Sequence, residues 1–503
     1  MSSLKEAIVK VYANYVVKKT AKWSNNPIKT QEKVMKKLIS RAKNTKFGKD
    51  HDFKNILNYS DFSKNIPVRD YEDIRPYVQQ IIDGEKNVLW PKKPIYFAKT
   101  SGTTSGEKYI PITKDSMPFH VKGSVDATMH YIVETNNTKF LNKKIIFVQG
   151  SPALGSVNGI KTGRLSGIVA HYTPAFLRKN TLPSWEVNCI EDWEKKIETI
   201  STETLNEDMA AIGGIPPWVV MYFDKLLSLS KKKTISEIFP NFSLFVYGGV
   251  NFSPYRNVFN KLIGKEIDSI EYYPASEGFF AYQDSQKKEG LLIQLNSGIF
   301  YEFIELSEMQ KSFPVRRSIK DVELNKNYVL IVSTNAGLWG YNTGDTVAFV
   351  SLKPCRIIVT GRHKHFISAF GEHVIGSEVE KALKEATDQT GISVKEFTVA
   401  PMINPVKGLP FHQWWIEFDG NPSIKELELV AKKTDISLRQ INSYYSDLIQ
   451  GKVLRPLMII SVQKGGFKNY MESEGKLGGQ NKLPRLSNNR EIVDKINPFK
   501  QKE

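Results

Sequence analysis

The sequence predicts an α/β protein with a smaller α+β unit at its carboxyl end, and three observations support that fold class. Short apolar runs alternate with segments of helical periodicity, which is typical of a buried sheet covered by helices. Gly, Pro or Ser bound most of these runs. The alternation is interrupted near residue 360 by a polar turn and then resumes. A chain of 503 residues can form about three domains or subdomains without a disulfide or a structural metal.

The larger part is predicted to begin with helices, because apolar residues in the first 90 or so positions recur at helical spacing, for example Ala7, Val11 and Tyr15. Alternation of strands and helices follows. The predicted strands are short and apolar: Pro94–Ala98, Ile145–Gln149, Leu244–Tyr247, Ile270–Tyr273 and Val329–Ser333. Helical patterns lie between them, at Trp193–Thr199 and Trp218–Leu229. Residues Tyr341–Ser351 are predicted to form a turn followed by a strand.

We expect a domain boundary between residues 362 and 363, which gives domains 1–362 and 363–503. The second domain is predicted to mix helices and strands: helix Ser377–Ala386, strands Glu396–Ala400 and Gln413–Phe418, helix Ile424–Lys433 and strand Pro456–Val462. The tail from Lys464 is rich in Gly, Lys and Asn. It is predicted to be a loop with one short helix near Asn489–Ile496.

The cysteine content, the apolar runs and the net charge exclude several classes of function. The two cysteines, Cys189 and Cys355, lie far apart in the sequence, so we do not expect a zinc site. We expect the protein to be in a reducing compartment, the cytoplasm. Neither a signal peptide nor an apolar run long enough to span a bilayer is evident. The net charge of +17 is compatible with nucleic-acid binding or with an anionic small substrate. The lysines are scattered, however, and no known nucleic-acid-binding motif accompanies them, so we expect no nucleic-acid partner.

The strongest local signal is the segment Thr100–Lys108, which follows a predicted strand. Its glycines and hydroxyl side chains can present N–H and O–H groups to phosphate oxygens, and Lys108 can add a positive charge. The glycine spacing does not match a Walker A loop. A polar surface loop is an equally good explanation of this segment taken alone.

Five further segments carry weaker signals. Paired glycines at Phe245–Val250 would let a flat ligand approach, and Tyr272–Gly278 offers an aromatic ring and a carboxylate for Mg²⁺. Gly340–Asp345 places an aspartate where it could accept hydrogen bonds from a ribose. Gly361–Lys364 and Gly478–Arg485 each place basic residues beside glycine. By itself each segment is a weak signal, since tight turns and ordinary core or surface residues also explain it, and for the paired glycines a tight turn is the better explanation.

The order of these segments along the chain resembles the adenylate-forming enzyme superfamily. Within it, the sequence is most similar to the auxin-responsive acyl acid amido synthetases of plants and their bacterial relatives, the Gretchen Hagen family. Ser105-Gly106-Glu107 in the first loop and the late GGQNKLPRL carry this closer resemblance. The resemblance extends from about residue 95 to 486. It implies a large amino-terminal domain of sheets sandwiched by helices and a small mobile carboxyl-terminal domain joined by a hinge.

The family resemblance implies a ligase that uses ATP and Mg²⁺ to convert a carboxylic acid into an acyl-adenylate and then transfers the acyl group to an amine, usually an amino acid. It assigns adenylation catalysis to Lys482, Mg²⁺ binding to Glu277 and the hinge to Lys364. The residues implied to bind ATP are Ser101, Thr103, Thr104, Ser105, Lys108, Gly248, Gly249, Val250, Tyr273, Ser276, Asp345 and Arg362.

The acid-binding residues are less well defined, and we expect His171, Arg178 and Trp218 among them. An acyl-CoA ligase remains an alternative because it shares the adenylation step. Ser105 and Glu107 argue against it, since most of the superfamily has Gly and Pro there. A basic nucleic-acid-binding protein is the alternative from another class. No carrier segment is evident, so the expected partners are a small carboxylic acid and an amine or amino acid.

Overall fold

A computed structural model describes residues 2–100, 108–173, 179–249, 252, 256–309, 311, 313–362, 366–367, 374–403, 405–450, 454–476, 482–487 and 490–501. The chain divides into two compact units. The first comprises Met1–Val250 and Glu266–Ile358, and the second comprises Asn251–Lys265 and Val359–Glu503. The second unit therefore includes a segment from the middle of the chain. The domain division expected at residues 362 and 363 stays a prediction.

Helices of the first unit precede and flank its strands. They span Ser2–Ser24, Pro27–Ala42, Lys46–Asp50, Tyr59–Asn65, Tyr71–Ile82, Met117–Thr135, Leu165–Ala170, Trp185–Asn188, Trp193–Thr204, Pro216–Ser230 and Ile235–Ile238. Local sequence fixes several of the starts: Asn58 and Asp70 form capping boxes with the aspartates three residues later. Proline stands in the first turn of Pro27–Ala42 and Pro216–Ser230, where its missing N–H costs nothing.

The first unit contains two sheets. The strands of these sheets are β1 Tyr96–Thr100, β2 Lys108–Ile112, β3 Lys144–Val148, β4 Gly155–Val157, β5 Ile160–Gly163, β6 Thr181–Leu182, β7 Met209–Gly214, β8 Leu244–Gly248, β9 Asp268–Ala275, β10 Gly278–Tyr282, β11 Leu291–Ile293, β12 Ile299–Glu305, β13 Arg316–Ser318, β14 Asn327–Thr334, β15 Tyr341–Leu352 and β16 Cys355–Arg362. The residues of β16 after Ile358 belong to the second unit. The smaller sheet has the order β2-β1-β5-β4. The larger has twelve strands in the order β13-β12-β14-β15-β16-β11-β10-β9-β8-β7-β3-β6.

The larger sheet is parallel from β6 through β3, β7 and β8 to β9. It becomes antiparallel where β10 returns beside β9. In the parallel part, β7 is buried along nearly its whole length, as expected for a strand covered on both faces. The carboxyl ends of β7, β8 and β9 meet at one edge, which is where open α/β sheets usually bind ligands. Gly248 and Gly249, at the end of β8, and the segment that follows Tyr273 in β9 are both at this edge.

The second unit mixes helices with a three-stranded sheet. Its helices are Arg256–Ile263, Gly376–Thr390, Ile424–Ile441, Ser443–Gln450, Gly466–Ser473 and Glu491–Ile496. Its strands are β17 Phe366–Ile367, β18 Val374–Ile375, β19 Val394–Met402, β20 Phe411–Phe418 and β21 Met458–Val462. Strands β17 and β18 pair with each other, and the sheet has the order β19-β20-β21. Strand β20 is buried along its whole length, because helices and chain cover both of its faces.

One predicted loop is a helix. Apart from a helix near Asn489–Ile496, the tail after Lys464 was expected to lack regular structure, but Gly466–Ser473 is helical. This expectation was wrong because glycine and lysine content hid an apolar spacing: Phe467 and Tyr470 are buried against Val462 and its neighbours. Among the residues that the structure describes, no helix combines the length and apolar character needed to cross a membrane.

Candidate active site

Two of the residues predicted to bind ATP are in direct contact. The phenol of Tyr273, near the carboxyl end of β9, donates a hydrogen bond of 2.7 Å to Oδ2 of Asp345 in β15. The Tyr273 ring is buried and meets the ring of Phe280 edge-on, with 5.2 Å between centroids. The structure thus brings together one tyrosine and one aspartate that are 72 residues apart in sequence.

A bulge in β15 presents Asp345. Val329 of β14 pairs with Thr346, and Ile331, two residues later, pairs with Asn342, which is four residues earlier in β15. Two extra residues of β15 therefore lie in the bulge. Within the bulge the Thr343 hydroxyl donates to the carbonyl of Leu330 at 2.9 Å. Gly344 has φ +81°, a left-handed conformation that glycine adopts without strain. The sequence predicted a turn followed by a strand. In the structure the turn is a bulge within the continuous strand Tyr341–Leu352.

The first of the paired glycines, Gly248, ends β8 and is needed by the sheet itself. A Cβ on Gly248 would lie 2.4 Å from the carbonyl oxygen of Tyr272 in the neighbouring strand. Gly248 is therefore required by strand packing, whether or not a ligand lies beside it. Gly249 is exposed and has φ +82°. Val250 lies outside the described residues.

After β9, Ser276 is buried and Glu277 is half-buried in the turn to β10. Among the described residues, no group of three or more His, Cys, Asp or Glu side chains is arranged to hold a metal ion.

The two ends of the predicted phosphate loop pair with each other. Strands β1 and β2 form an antiparallel pair in which Thr100 faces Lys108. Ser101, Thr103, Thr104 and Ser105 lie outside the described residues. The ammonium of Lys108 lies 5.5 Å from the centroid of the Tyr71 ring. The Tyr71 hydroxyl accepts a 2.8 Å hydrogen bond from the Tyr109 N–H, and burial is the main cause that raises the pKa of Tyr71. Helix Tyr71–Ile82 thus holds one end of the loop.

The sequence analysis missed a contact that supports the strand of Asp345. The backbone of Arg69 pairs with the start of β15, since its N–H donates to Gly340 and its carbonyl accepts from Asn342. Its guanidinium is 3.0 Å from Nε2 of His51. Nδ1 of His51 lies 2.9 Å from the carbonyl of Asn65 and donates to it, which leaves Nε2 to accept from Arg69. Burial and the charge of Arg69 lower the pKa of His51. No local pattern signals this pairing.

In the second unit, Lys482 is exposed and lies two residues before a segment held against β19. The N–H of Val399 donates to the carbonyl of Arg485, and that of Ser487 donates to the carbonyl of Val399. The Thr398 hydroxyl donates to Pro484 at 2.6 Å. Arg485 also pairs with Glu396. The chain that carries Lys482 is therefore fixed to the sheet immediately after the lysine.

The remaining predicted residues are placed as follows. Arg362 ends β16, and its side chain lies outside the described part, as do Lys364 and Arg178. His171 directs Nε2 to the carbonyl of Pro152 at 3.0 Å, and its ring meets that of Trp185 edge-on. Trp218 is buried in the first turn of helix Pro216–Ser230. Their roles in substrate binding stay predictions.

Comparison with known proteins identifies the family. Models of the GH3 family match most of the chain: the N-terminal domain at residues 16–190 and 160–267, the central domain at 292–362, and the C-terminal domain at 377–491. The chain belongs to the GH3 family. The resemblance drawn from the phosphate loop and from GGQNKLPRL is thereby confirmed.

Relatives and structures agree with the GH3 assignment. An indole-3-acetic acid-amido synthetase of Arabidopsis thaliana, GH3.4, is 22% identical over 92% of this chain and 89% of its own length. The structure of the Arabidopsis GH3.15 acyl acid amido synthetase in complex with 2,4-DB has a TM-score of 0.80, with 16% identity over 98% of this chain and 97% of the other. A 2-hydroxyisobutyryl-CoA ligase has the same general fold, with a TM-score of 0.54, 11% identity and coverage of 98% and 90%. The predicted fold class is confirmed for this GH3 chain.

Proposed function

We propose that this GH3 protein is an acyl acid amido synthetase, which uses ATP to join a carboxylic acid to an amine, usually that of an amino acid. Membership of the GH3 family supports the proposal, as do the synthetase names of the relatives. The structural observation that carries it is the hydrogen bond from Tyr273 to Asp345 near the ligand-binding edge of the sheet. It joins two residues that the family resemblance assigns independently to ATP.

The proposed reaction has two half-reactions. In the first, a carboxylate oxygen of the acid attacks the α-phosphorus of ATP, the bond to the β-phosphate oxygen breaks, and pyrophosphate leaves. In the second, the amine nitrogen attacks the acyl carbon, loses a proton, and AMP leaves with the electrons of the mixed anhydride bond. The first step brings an anion to a polyanion, so the site must supply positive charge and oriented donors.

Asp345 is proposed to hold the ribose of ATP. A carboxylate has about four lone-pair positions, and the phenol of Tyr273 occupies one of them. A carboxylate can accept from ribose hydroxyls as well as from a phenol. Tyr273 thereby acts as a positioning residue for Asp345, in addition to its proposed place beside adenine. Gly248, Gly249 and Val250 are proposed to border the base, and Arg362 the ribose or phosphate.

The phosphates are assigned to the loop between β1 and β2, with Ser101, Thr103, Thr104, Ser105 and Lys108, and to Ser276. Magnesium is commonly held by one or two carboxylates and by the phosphates of the substrate. Glu277, which follows Ser276, is the proposed carboxylate, and Mg²⁺ would neutralise charge on the phosphates. Lys482 is proposed to stabilise the charge that develops in adenylation, and Lys364 to be the hinge. Two free cysteines fit the cytoplasmic location that we also propose.

An acyl-CoA ligase is the alternative outcome, and one experiment separates the two. ATP–pyrophosphate exchange is first measured over a panel of aryl and alkyl carboxylic acids, which finds the acid that this protein activates. AMP release with that acid is then measured with the twenty amino acids or with CoA added. We expect release to rise with amino acids. Release with CoA alone would make the protein a CoA ligase, and no exchange with any acid would contradict adenylation itself.

A further inference from the structure

The helix Ser2–Ser24 carries apolar residues on two faces. One face is buried: Ala13, Val16 and Thr20 pack into the core formed with helix Met117–Thr135 and the large sheet. This face packs the helix against the rest of the first unit. The apolar residues of the other face therefore have no part in that packing.

The second face is an exposed stripe. At 100° per residue, its five large side chains fall within about a third of the helix circumference. They are Leu4, Ile8, Val11, Tyr12 and Tyr15, with exposed fractions between 49% and 72%. The rings of Tyr12 and Tyr15 stack with 6.4 Å between centroids. Isolated apolar side chains on a surface are ordinary, but an aligned set of this size marks an interaction surface.

The charge around the stripe has one sign. The helix contains five lysines, Lys5, Lys10, Lys18, Lys19 and Lys22, and the single acid Glu6, a net charge of +4. Glu6 accepts hydrogen bonds from Thr138 and Asn142, and the Lys5 ammonium donates to the Leu141 carbonyl at 3.4 Å, so both of these charges are directed to the protein. Lys18, Lys19 and Lys22 are exposed and extend the stripe toward the carboxyl end of the helix. The Lys19 ammonium lies 5.9 Å from the centroid of the Tyr15 ring.

We propose that this stripe and its lysines dock the protein on the surface of an anionic lipid bilayer, with the helix lying in the plane of the interface. Apolar side chains would enter the boundary between headgroups and acyl chains, the two tyrosines would lie at headgroup level, and the lysines would face anionic headgroups. Charge argues against a second copy of this chain as the occupant, since two such faces would place like charges together. A nucleic acid would match the lysines but not the apolar stripe.

The test is co-sedimentation of the full chain with vesicles. We expect binding to vesicles of phosphatidylcholine with phosphatidylserine, little binding to phosphatidylcholine alone, and weaker binding as salt rises. Ile8→Gln with Val11→Gln should lower partitioning by roughly tenfold or more, because two apolar side chains no longer enter the interface. Lys18→Gln, Lys19→Gln and Lys22→Gln together should lower it on the order of 100-fold.

Matched variants elsewhere test the location of the surface. Leu57 and Val406 are also exposed apolar residues, and Leu57→Gln with Val406→Gln should leave partitioning unchanged. The exposed run Lys231, Lys232 and Lys233 supplies the control for charge when all three become Gln. Equal losses in a control and in its matched test variant would overturn the proposal, since binding would then not depend on the helix Ser2–Ser24. Light scattering that shows a dimer dissolved by Ile8→Gln with Val11→Gln, without vesicle binding, would also overturn it.

Discussion

Asp345 is the residue on which the proposed ATP site most depends. Asp345→Ala should weaken ATP binding by about 100-fold or more, because it removes two hydrogen bonds from ribose to a charged group that are each worth ~1.5–3 kcal/mol. Isothermal titration calorimetry measures the change. Asp388, an exposed residue paired with Lys384, is the control, and Asp388→Ala should leave ATP affinity unchanged.

Tyr273→Phe separates the two members of the pair. It removes the phenol that orients Asp345 but keeps the carboxylate, so its effect on ATP affinity should be smaller than that of Asp345→Ala. If Asp345→Ala binds ATP as the wild type does, Asp345 is not in the site. The sequence predicted both residues. It could not predict their contact, since this depends on the bulge in β15 and on the register of strands distant in sequence.

A second residue-scale prediction concerns pH and His120, which is buried in helix Met117–Thr135. Burial lowers its pKa from 6.5 to about 4. Between these values the unfolded chain binds more protons than the folded one, so the free energy of unfolding falls as pH falls. The loss from pH 7 to pH 4 should be about 3 kcal/mol from this group.

Urea unfolding of the wild type and of His120→Gln at pH 7, 6, 5 and 4 measures the contribution of His120. Because Gln does not titrate, the wild type should lose stability relative to the variant across this range. Parallel curves of stability against pH for the two proteins would mean that the pKa of His120 is not lowered by folding.

At the scale of elements, the close packing of β8 against β9 leaves no space for a side chain at Gly248. Gly248→Ala should lower the free energy of unfolding by about 1–3 kcal/mol without any ligand, since its Cβ would meet the Tyr272 carbonyl at 2.4 Å. Gly376→Ala is the matched control, because its nearest contact would be at 3.9 Å. Urea unfolding without ATP measures the free energy of unfolding of both variants. A variant of Gly248 that is fully stable but binds ATP poorly would instead make this glycine purely a ligand contact.

Elements differ in how far sequence alone predicts them. Strands β8 and β9 were predicted as short apolar runs and differ from the prediction only at their ends. Strand β7 was not predicted, because four of its six residues are alanine or glycine, which have little preference for strands. Helix Gly466–Ser473 was missed, since its start is a glycine pair and its stability comes from packing of Phe467 and Tyr470. The pairing of Pro484–Ser487 with β19 was also missed, because it joins segments far apart in sequence that have no common pattern.

At the scale of the whole molecule, the proposed site residues are divided between the two compact units. Tyr273 and Asp345 belong to the first unit, and Lys482 belongs to the second. The family could be predicted from the order of the motifs along the chain, and the comparison with family models confirms the family. That Asn251–Lys265 belongs to the second unit could not be predicted from the sequence. The reason is that this assignment depends on tertiary packing and not on local composition.

The division predicts that the two half-reactions can be separated by one substitution. Lys482→Ala should reduce ATP–pyrophosphate exchange on the order of 100-fold or more, because a positioned charge is lost from the adenylation transition state. Transfer to the amine from synthetic acyl-AMP should remain close to wild type, since that step attacks the acyl carbon and not the α-phosphorus, and Lys482 is assigned to adenylation alone. Lys476 is the control: it is also exposed, it pairs with Glu474 at 3.8 Å, and Lys476→Ala should leave both rates unchanged. If Lys482→Ala keeps full exchange while Lys476→Ala loses it, the adenylation lysine is Lys476. In that case the segment Pro484–Ser487, which pairs with β19, has only a structural role.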